Sequence, residues 1–361
     1  MLKKLSAIIL ENEHDYEMNI NWLLAFLDLQ KKKKMKAIMY LIGAPGLIEQ
    51  IDQVFARSKI PWKNMQNLEL CFSLRELRVR FLKRAMLNEF GRIIFTGFSR
   101  LFFESFLDIN KNTPHVIYDI HMLGGVQEFL EAMAIPKQFQ IKYLHYLFQA
   151  KKNLLKIYNI FPAFKKLYYY YGLSKGELIN GKYPLYLPLY KGGVPAQSYI
   201  YSAGNHLRDY PVLLESLAKL PGHKALLRAN NPEYRNLARD HLGCFYNKPI
   251  NYLDFIKETA ASKLVVLPLQ DKANKCCGLS FLAHAMALGK PVIATACDST
   301  KGYIQDGING LLVSPANPTQ LTLKMRLLLS DVKLAKKLGQ NARKTVGKEM
   351  DLAKVLLKIT N

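Results

Sequence analysis

The chain has no run of about 18 consecutive apolar residues, so the sequence predicts no membrane-spanning helix. Cysteine is sparse. The five residues Cys71, Cys244, Cys276, Cys277 and Cys297 are odd in number and form no C-x-x-C pair. That argues against a disulfide framework or a cysteine-based zinc site and suits a reducing cytosol. Low-complexity tracts are absent beyond short lysine clusters, no repeat of solenoid period occurs, and the first residues lack the features of a cleavable signal peptide. Acidic residues are also scarce: 28 Asp and Glu stand against 51 Lys and Arg, a formal net charge of +23. Such a balance attracts polyanions, whether nucleic acid, an anionic membrane face or a phosphorylated substrate, and charge alone does not rank them.

What is present is ample material for two cores. Half of the 361 residues are hydrophobic, which excludes large-scale disorder and suits two domains of ordinary size. Short apolar runs alternate with helix-length segments in both halves, the pattern of parallel α/β sheets. The expected strands of the first half are Leu5–Leu10, Ala37–Ile42, Leu68–Phe72, Arg92–Phe98, Val116–Ile120 and Leu155–Ile160. Those of the second half are Tyr199–Ser202, Ala225–Arg228, Leu264–Leu267, Pro291–Thr295 and Gly310–Val313. Helices are expected over Tyr210–Lys219, Tyr252–Ser262, Leu279–Leu288 and Pro318–Leu329. Between the halves, Tyr183–Gln197 carries Pro184, Pro188, Gly192, Gly193 and Pro195, and the break in periodicity marks a domain boundary there. The expected domains are 1–190 and 191–361, with a ligand site in a cleft at the carboxyl ends of the strands.

The most informative stretch runs from Lys275 to Thr295. It reads as a Gly-containing loop, a helix bearing the small residues Ala285 and Ala287, a stop at Gly289 and a buried strand. Backbone amides at Gly278, Leu279 and Ser280 would open that helix towards an anion, which amide donors and the helix dipole favour. Upstream, Gly204, Asn205 and Arg208 lie in a loop between a strand and the helix starting near Tyr210, and an arginine there can grip two phosphate oxygens as a fork. Asp209 is expected to cap that helix.

These stretches resemble the GT-B glycosyltransferases, particularly the large family 4. The run Ala285-Met-Ala-Leu-Gly-Lys-Pro-Val-Ile-Ala-Thr295 is similar to the family's donor-site segment, and Ile304-Gln-Asp-Gly-Ile-Asn-Gly-Leu-Leu-Val313 to a later one. Tyr201–Leu217 resembles the first strand, loop and helix of the family's C-terminal domain. The resemblance spans roughly Tyr199 to Lys344. It implies two Rossmann-like domains with parallel sheets facing across a cleft, and a last helix that can cross back to the first domain. It also implies a nucleoside-diphosphate sugar as co-substrate, no metal or further cofactor, and transfer with retention to a glycan or lipid-linked acceptor in cell-surface polysaccharide or lipopolysaccharide synthesis. The family's two glutamates bracketing the donor loop are absent. Lys275 stands near the first position, as a diphosphate cation or a solvated lysine; His284 stands near the second, as a nucleotide contact or a structural histidine. Asn205 takes the place of a second arginine.

In the first half, the strand that ends at Asp119 and His121 before Gly124 and Gly125 resembles the Asp-x-His strand of these transferases. The resemblance makes His121 the candidate catalytic residue, facing acceptor or transferred sugar; a buried histidine bonded to backbone is the alternative. Two segments combine aromatics with lysines as an anionic membrane surface favours: Ile20–Leu29 with Trp22 and Phe26, followed by Lys31–Lys34 and Lys36, and Phe139–Tyr171. Together with the lipid-linked acceptors that the resemblance implies, they suggest a cytoplasmic protein peripheral on the inner membrane face; RNA binding and an ordinary solvated face are the alternatives. A GT-B-fold binding protein that has lost catalysis is the second reading, motivated by the missing glutamates. A nucleic-acid-binding protein is a distant third, since no nucleic-acid motif accompanies the charge.

Overall fold

A computed structural model of the chain describes residues 5–10, 16–43, 45–56, 62–87, 89–96, 101–102, 105, 112–119, 136–150, 152–159, 173, 176, 178–191, 199–229, 243–245, 250–270 and 277–360. They fall into two compact units, one formed by Met1–Tyr186 with Leu352–Asn361 and the other by Leu187–Asp351.

The first unit is built on seven parallel strands: β1 Leu5–Leu10, β2 Ala37–Ile42, β3 Leu68–Cys71, β4 Phe90–Phe95, β5 His115–Asp119, β6 Leu155–Asn159 and β7 Leu178–Asn180. Their order is β3-β2-β1-β4-β5-β6-β7. Every residue of β2 and five of the six in β1 are buried, as expected for strands covered on both faces. Helices α1 Tyr16–Lys31, α2 Pro45–Ala56, α3 Leu74–Met86 and α4 Lys137–Ala150 accompany them. An aromatic cluster knits sheet to helix. Phe81 of α3 stacks on Phe90 with centroids 5.7 Å apart and meets Tyr40 and Phe95 edge-on.

The second unit has six parallel strands, β8 Tyr199–Ala203, β9 Lys224–Arg228, β10 Gly243–Phe245, β11 Leu264–Leu267, β12 Val292–Thr295 and β13 Leu311–Val313, in the order β10-β9-β8-β11-β12-β13. Its helices are α5 Tyr210–Ala218, α6 Tyr252–Ala261, α7 Leu279–Ala287, the short α8 Asp298–Lys301, α9 Pro318–Ser330 and α10 Val332–Glu349. In both units the first two-strand crossover winds one way from the first strand and the next crossover starts on its other side. The order therefore reverses between β1 and β4 and again between β8 and β11, and open α/β sheets bind ligands at the carboxyl ends of such strands. The last helix, α11 Leu352–Thr360, belongs to the first unit. There Ser6 Oγ donates to Thr360 O at 3.0 Å and Arg92 Nη1 to Ile359 O at 2.9 Å.

Local chemistry explains the helix ends. Asp209 Oδ1 accepts from Val212 N at 3.3 Å and caps α5, Asn251 caps α6 through Asp254 N, and Pro318 sits in the first turn of α9 where its missing N–H costs nothing. α1 overturns one expectation. Trp22 and Phe26 are fully buried, with Trp22 packed edge-on against Tyr118 at 5.7 Å. They are core side chains and present nothing to a membrane surface. The exposed lysines 31–34 and 36 lie at and beyond the helix end, adjacent in sequence but on the other side of the core boundary. Of the second basic-aromatic segment, Phe139 and Tyr146 are exposed on α4 while Leu144 and Phe148 are buried, and residues 160–172 lie outside the described residues.

α7 and α10 approach closely at Gly289, where φ is +68°, and Gly339. A methyl group on Gly339 would collide with the Gly289 carbonyl. Two effects oppose each other in Gly339→Ala: helix propensity favours alanine by about 1 kcal/mol, and overpacking costs about 1–3 kcal/mol. The contact with rigid backbone decides for overpacking. Urea unfolding of Gly339→Ala is expected to show net destabilisation, and a stabilised variant would disprove the close approach.

Candidate functional site

β8 ends at Ala203, and the chain turns at Gly204, whose φ of +107° suits glycine. Gly204 N donates to Arg228 O at 2.9 Å, so the turn is tied to the end of the neighbouring strand. The loop then runs through Asn205 and His206, both exposed, to Leu207 at φ +52° and Arg208. A leucine in the left-handed region costs about 1–2 kcal/mol. The strain is held in place from the β11 side: Gln270 N donates to Leu207 O at 3.0 Å and Asp209 N to Pro268 O at 3.1 Å, and Arg208 forms a lone antiparallel bridge with Leu269. Two loops from adjacent strands are thereby clamped together.

The clamp fixes a buried cation. Arg208 is only 4% exposed, with Nε donating to Ala203 O at 2.9 Å and Nη1 to His206 O at 3.0 Å. Two glycines enclose the guanidinium. A side chain on Gly204 would strike Nη2, and a Cβ on Gly278 would fall 3.2 Å from Nη1 and 2.7 Å from Leu267. Gly278, at φ +75°, is the residue from which α7 starts, and Gly278 O accepts from Leu282 N at 2.9 Å. Cys277 stands beside the same cation. Burial raises its thiol pKa and the Arg208 charge partly offsets that.

The structure thus brings Gly204, Arg208 and Gly278 into one cluster at the carboxyl ends of β8 and β11, where the strand order of this unit reverses. Asn205 is exposed on the same loop, Ser280 is half-buried in the first turn of α7 and the Leu279 side chain is buried. Amides in that first turn precede the intrahelical ladder and carry the positive end of the helix dipole. Lys275 and His121 lie outside the described residues.

Of the two roles expected of His284, its position matches the structural one. The side chain is fully buried, and its Nδ1 is 2.6 Å from the Tyr190 hydroxyl, which in turn is 2.7 Å from the Tyr252 hydroxyl. Its ring packs among Tyr190, Tyr252 and Phe255 with centroids 5.3–5.6 Å away. The reason is geometric: five residues beyond Leu279 the helix turns this position towards α6, and a buried imidazole needs polar partners there. The ring is therefore a tie between α7, α6 and the short 3-10 turn Leu187–Tyr190, with no surface to offer a ribose. Sequence reasoning missed both tyrosines. Their signal was faint, one lying in the Pro-rich boundary and the other at a helix start.

A second polar group escaped notice beside the turn. Arg228 at the end of β9 pairs through Nε with Glu258 Oε2 at 2.8 Å and through Nη2 with Oε1, and Tyr201 donates to Glu258 Oε2 at 3.1 Å. Burial pushes the Tyr199 hydroxyl up to about 12 and Tyr201 higher still, reinforced by the Glu258 charge, so both remain donors. A basic residue closing the apolar run Ala225–Leu227 was the available clue.

Residues 237–345 match the family model described as glycosyl transferases group 1. A stretch of 60 residues is 41% identical to an uncharacterised glycosyltransferase of Methanocaldococcus jannaschii, and the alignment covers 17% of this chain and 17% of that protein. Over the whole chain, a glycosyltransferase from Rickettsia africae superposes with a TM-score of 0.68 at 14% identity, covering 100% of this chain and 98% of that one. The Anabaena protein HepE in complex with UDP-glucose superposes with a TM-score of 0.65 at 15% identity, covering 99% and 98%. The matched family and these neighbours are GT-B glycosyltransferases, and the chain has their fold, with its two parallel α/β sheets.

Removing the Tyr190 hydroxyl takes one hydrogen-bond partner from the Tyr252 hydroxyl and one from the His284 ring. Tyr190→Phe is expected to lower the urea-unfolding free energy of the second unit by about 1–3 kcal/mol. An unchanged midpoint would mean that the buried array carries no net stabilisation.

Proposed function

We propose that the chain is a glycosyltransferase that takes its sugar from a nucleoside-diphosphate donor and holds the donor's pyrophosphate at Arg208 and the amino end of α7. The observation that carries this reading is the guanidinium enclosed by Gly204 and Gly278 at the strand-order reversal. Both glycines keep side-chain bulk away, so phosphate oxygens can approach guanidinium and backbone amides together. The family match and the likeness to a protein crystallised with UDP-glucose support the donor class.

As the glycosidic bond to the donor breaks, negative charge grows on the departing diphosphate. A fixed cation and an aligned helix end stabilise that charge without the reorganisation that water needs. In this reading these groups carry the role that a divalent cation has elsewhere, and transfer proceeds with retention to a glycan or lipid-linked acceptor during polysaccharide or lipopolysaccharide assembly. His121 and Lys275 keep their proposed roles beside the transferred sugar and the diphosphate.

The buried tie of His284 favours a second reading, a GT-B-fold protein that binds donor without turnover, because no carboxylate replaces it at that helical position. Calorimetric titration with UDP, UDP-glucose and GDP-mannose, followed by a donor-hydrolysis assay, separates the two. Binding with hydrolysis supports the enzyme, and tight binding with no turnover on any acceptor supports the binding protein.

Arg208→Ala is expected to weaken donor binding by about 1.5–3 kcal/mol, the range for hydrogen bonds to charged groups. Arg208→Lys should fall between, since it keeps the charge and loses the fork. Undiminished affinity in a folded Arg208→Ala protein would refute the phosphate assignment.

A further inference from the structure

We propose that the outward face of α10 holds a linear acidic glycan, one that bears a carboxylate on each sugar or on every second sugar. The proposal rests on the transferase reading in taking a glycan as the polymer such an enzyme handles. It concerns a surface outside the cluster around Arg208.

α10 has two unlike sides. Leu338, Gly339, Ala342 and Val346 are buried and share the side that faces the unit's interior. On the opposite side Lys333, Lys336, Lys337, Arg343, Lys344 and Lys348 are all exposed. At about 100° and 1.5 Å per residue they fall within an arc of about 140° and a length of about 22 Å. Between Val332 and Lys348 the helix has no acidic residue.

The missing carboxylates set this helix apart. Elsewhere exposed cations on helices meet an acid about one turn away: Lys32 pairs with Asp28, Arg80 with Glu76, Lys219 with Glu215 and Lys257 with Asp254. None of the α10 cations forms an ion pair among the described residues. Instead Lys333 and Lys337 stand four residues apart, as do Lys344 and Lys348, and like charges at that spacing destabilise a helix. A bound polyanion relieves that repulsion. The helix itself is held firmly. Gly339 packs against the Gly289 backbone, Asn341 Nδ2 donates to Ile308 O at 2.9 Å, and Asn309 Nδ2 donates to Thr345 Oγ1 at 3.2 Å. The backbone that presents the charges is therefore in place before anything binds.

The other side chains of α10 select the kind of polyanion. The helix has no aromatic residue, so bases find no ring to stack on. Its one exposed large apolar side chain is Val332 at the first position, so nothing along the row enters hydrocarbon. Gln340, exposed within the arc, offers a donor and an acceptor to sugar hydroxyls. Cations three or four residues apart are separated by a rise of about 4.5–6 Å, comparable to one pyranose unit of an extended chain. The phosphates of a nucleic-acid duplex follow at about 3.4 Å along each strand and wind away from a straight row.

The test is isothermal titration of the full chain with oligogalacturonate, in which every sugar bears a carboxylate, and with neutral dextran of equal length. Binding to oligogalacturonate alone is expected, weakening as salt rises. It should fall roughly tenfold in Lys333→Gln/Lys337→Gln/Lys344→Gln/Lys348→Gln. Glutamine is a good helix former and the like-charge pairs are gone, so thermal melting should show this variant no less stable than the parent. Lys31→Gln/Lys33→Gln/Lys34→Gln/Lys36→Gln removes the same charge from exposed positions of the first unit and should bind as the parent does. UDP titrated into the same proteins reports on the donor site separately, and the α10 variant should bind it like the parent. A parent chain that binds oligogalacturonate but no UDP overturns the donor assignment and leaves the α10 surface standing. The α10 proposal is overturned by absent oligogalacturonate binding, by equal binding of dextran, by undiminished binding in the α10 variant, by equal losses in the two variants, or by tighter binding of an oligothymidylate or of phosphatidylglycerol vesicles.

Discussion

The second unit is organised around one buried cation. Placing a guanidinium at 4% exposure removes most of its hydration, and such a group persists only where fixed dipoles replace the water. Here the carbonyls of Ala203 and His206 do so, and both belong to the strand end and turn that lead to Arg208 itself. The arrangement dictates its surroundings. Gly204 and Gly278 have no space for a side chain, Leu207 is held in a strained conformation, and the loop after β8 is stitched to the loop after β11. A change at any of these positions is therefore a change at Arg208.

Much of this was legible from residue order alone. Almost continuous apolar runs located β1, β2 and β11 to the residue, because strands buried on both faces have few polar positions to blur their limits. Asp209 was readable as a cap because a short carboxylate before a helix has few other uses. Of the edge strands, β3 and the three-residue β13 were read from their apolar runs, and β7 and β10 were not. β7 and β10 have three residues each, too few for a periodicity to emerge, and their pairing is set by neighbours already in place.

The candidate site was legible where backbone conformation sets the residue type and illegible where side-chain direction decides. Gly204 and Gly278 announce themselves, since positive φ and close approach both demand glycine. His284 does not, because a helix buried on almost every side has no polar stripe from which to read an orientation. The aromatic residues of α1 failed for the same reason. Trp22 and Phe26 belong to a helix with buried residues around most of its circumference, and the lysines that follow them suggested an amphipathic segment that the fold does not contain.

The burial of α7 also bears on what its site can distinguish. Residues 281–287 are all buried, His284 is tied to Tyr190, and Gly289 lies against Gly339 of α10. Side chains along this helix are committed to packing, so its contribution to a ligand comes from the amino end, through amides and dipole. Those groups read charge and leave base and sugar unread. Under the proposed function, recognition of a pyrophosphate would be built into the frame of the unit, and selection among donors would fall to side chains exposed on the loop, such as those of Asn205 and His206. The side chains of Asn205 and His206 can vary while the backbone of their loop still holds Arg208, whereas the glycines around the guanidinium cannot.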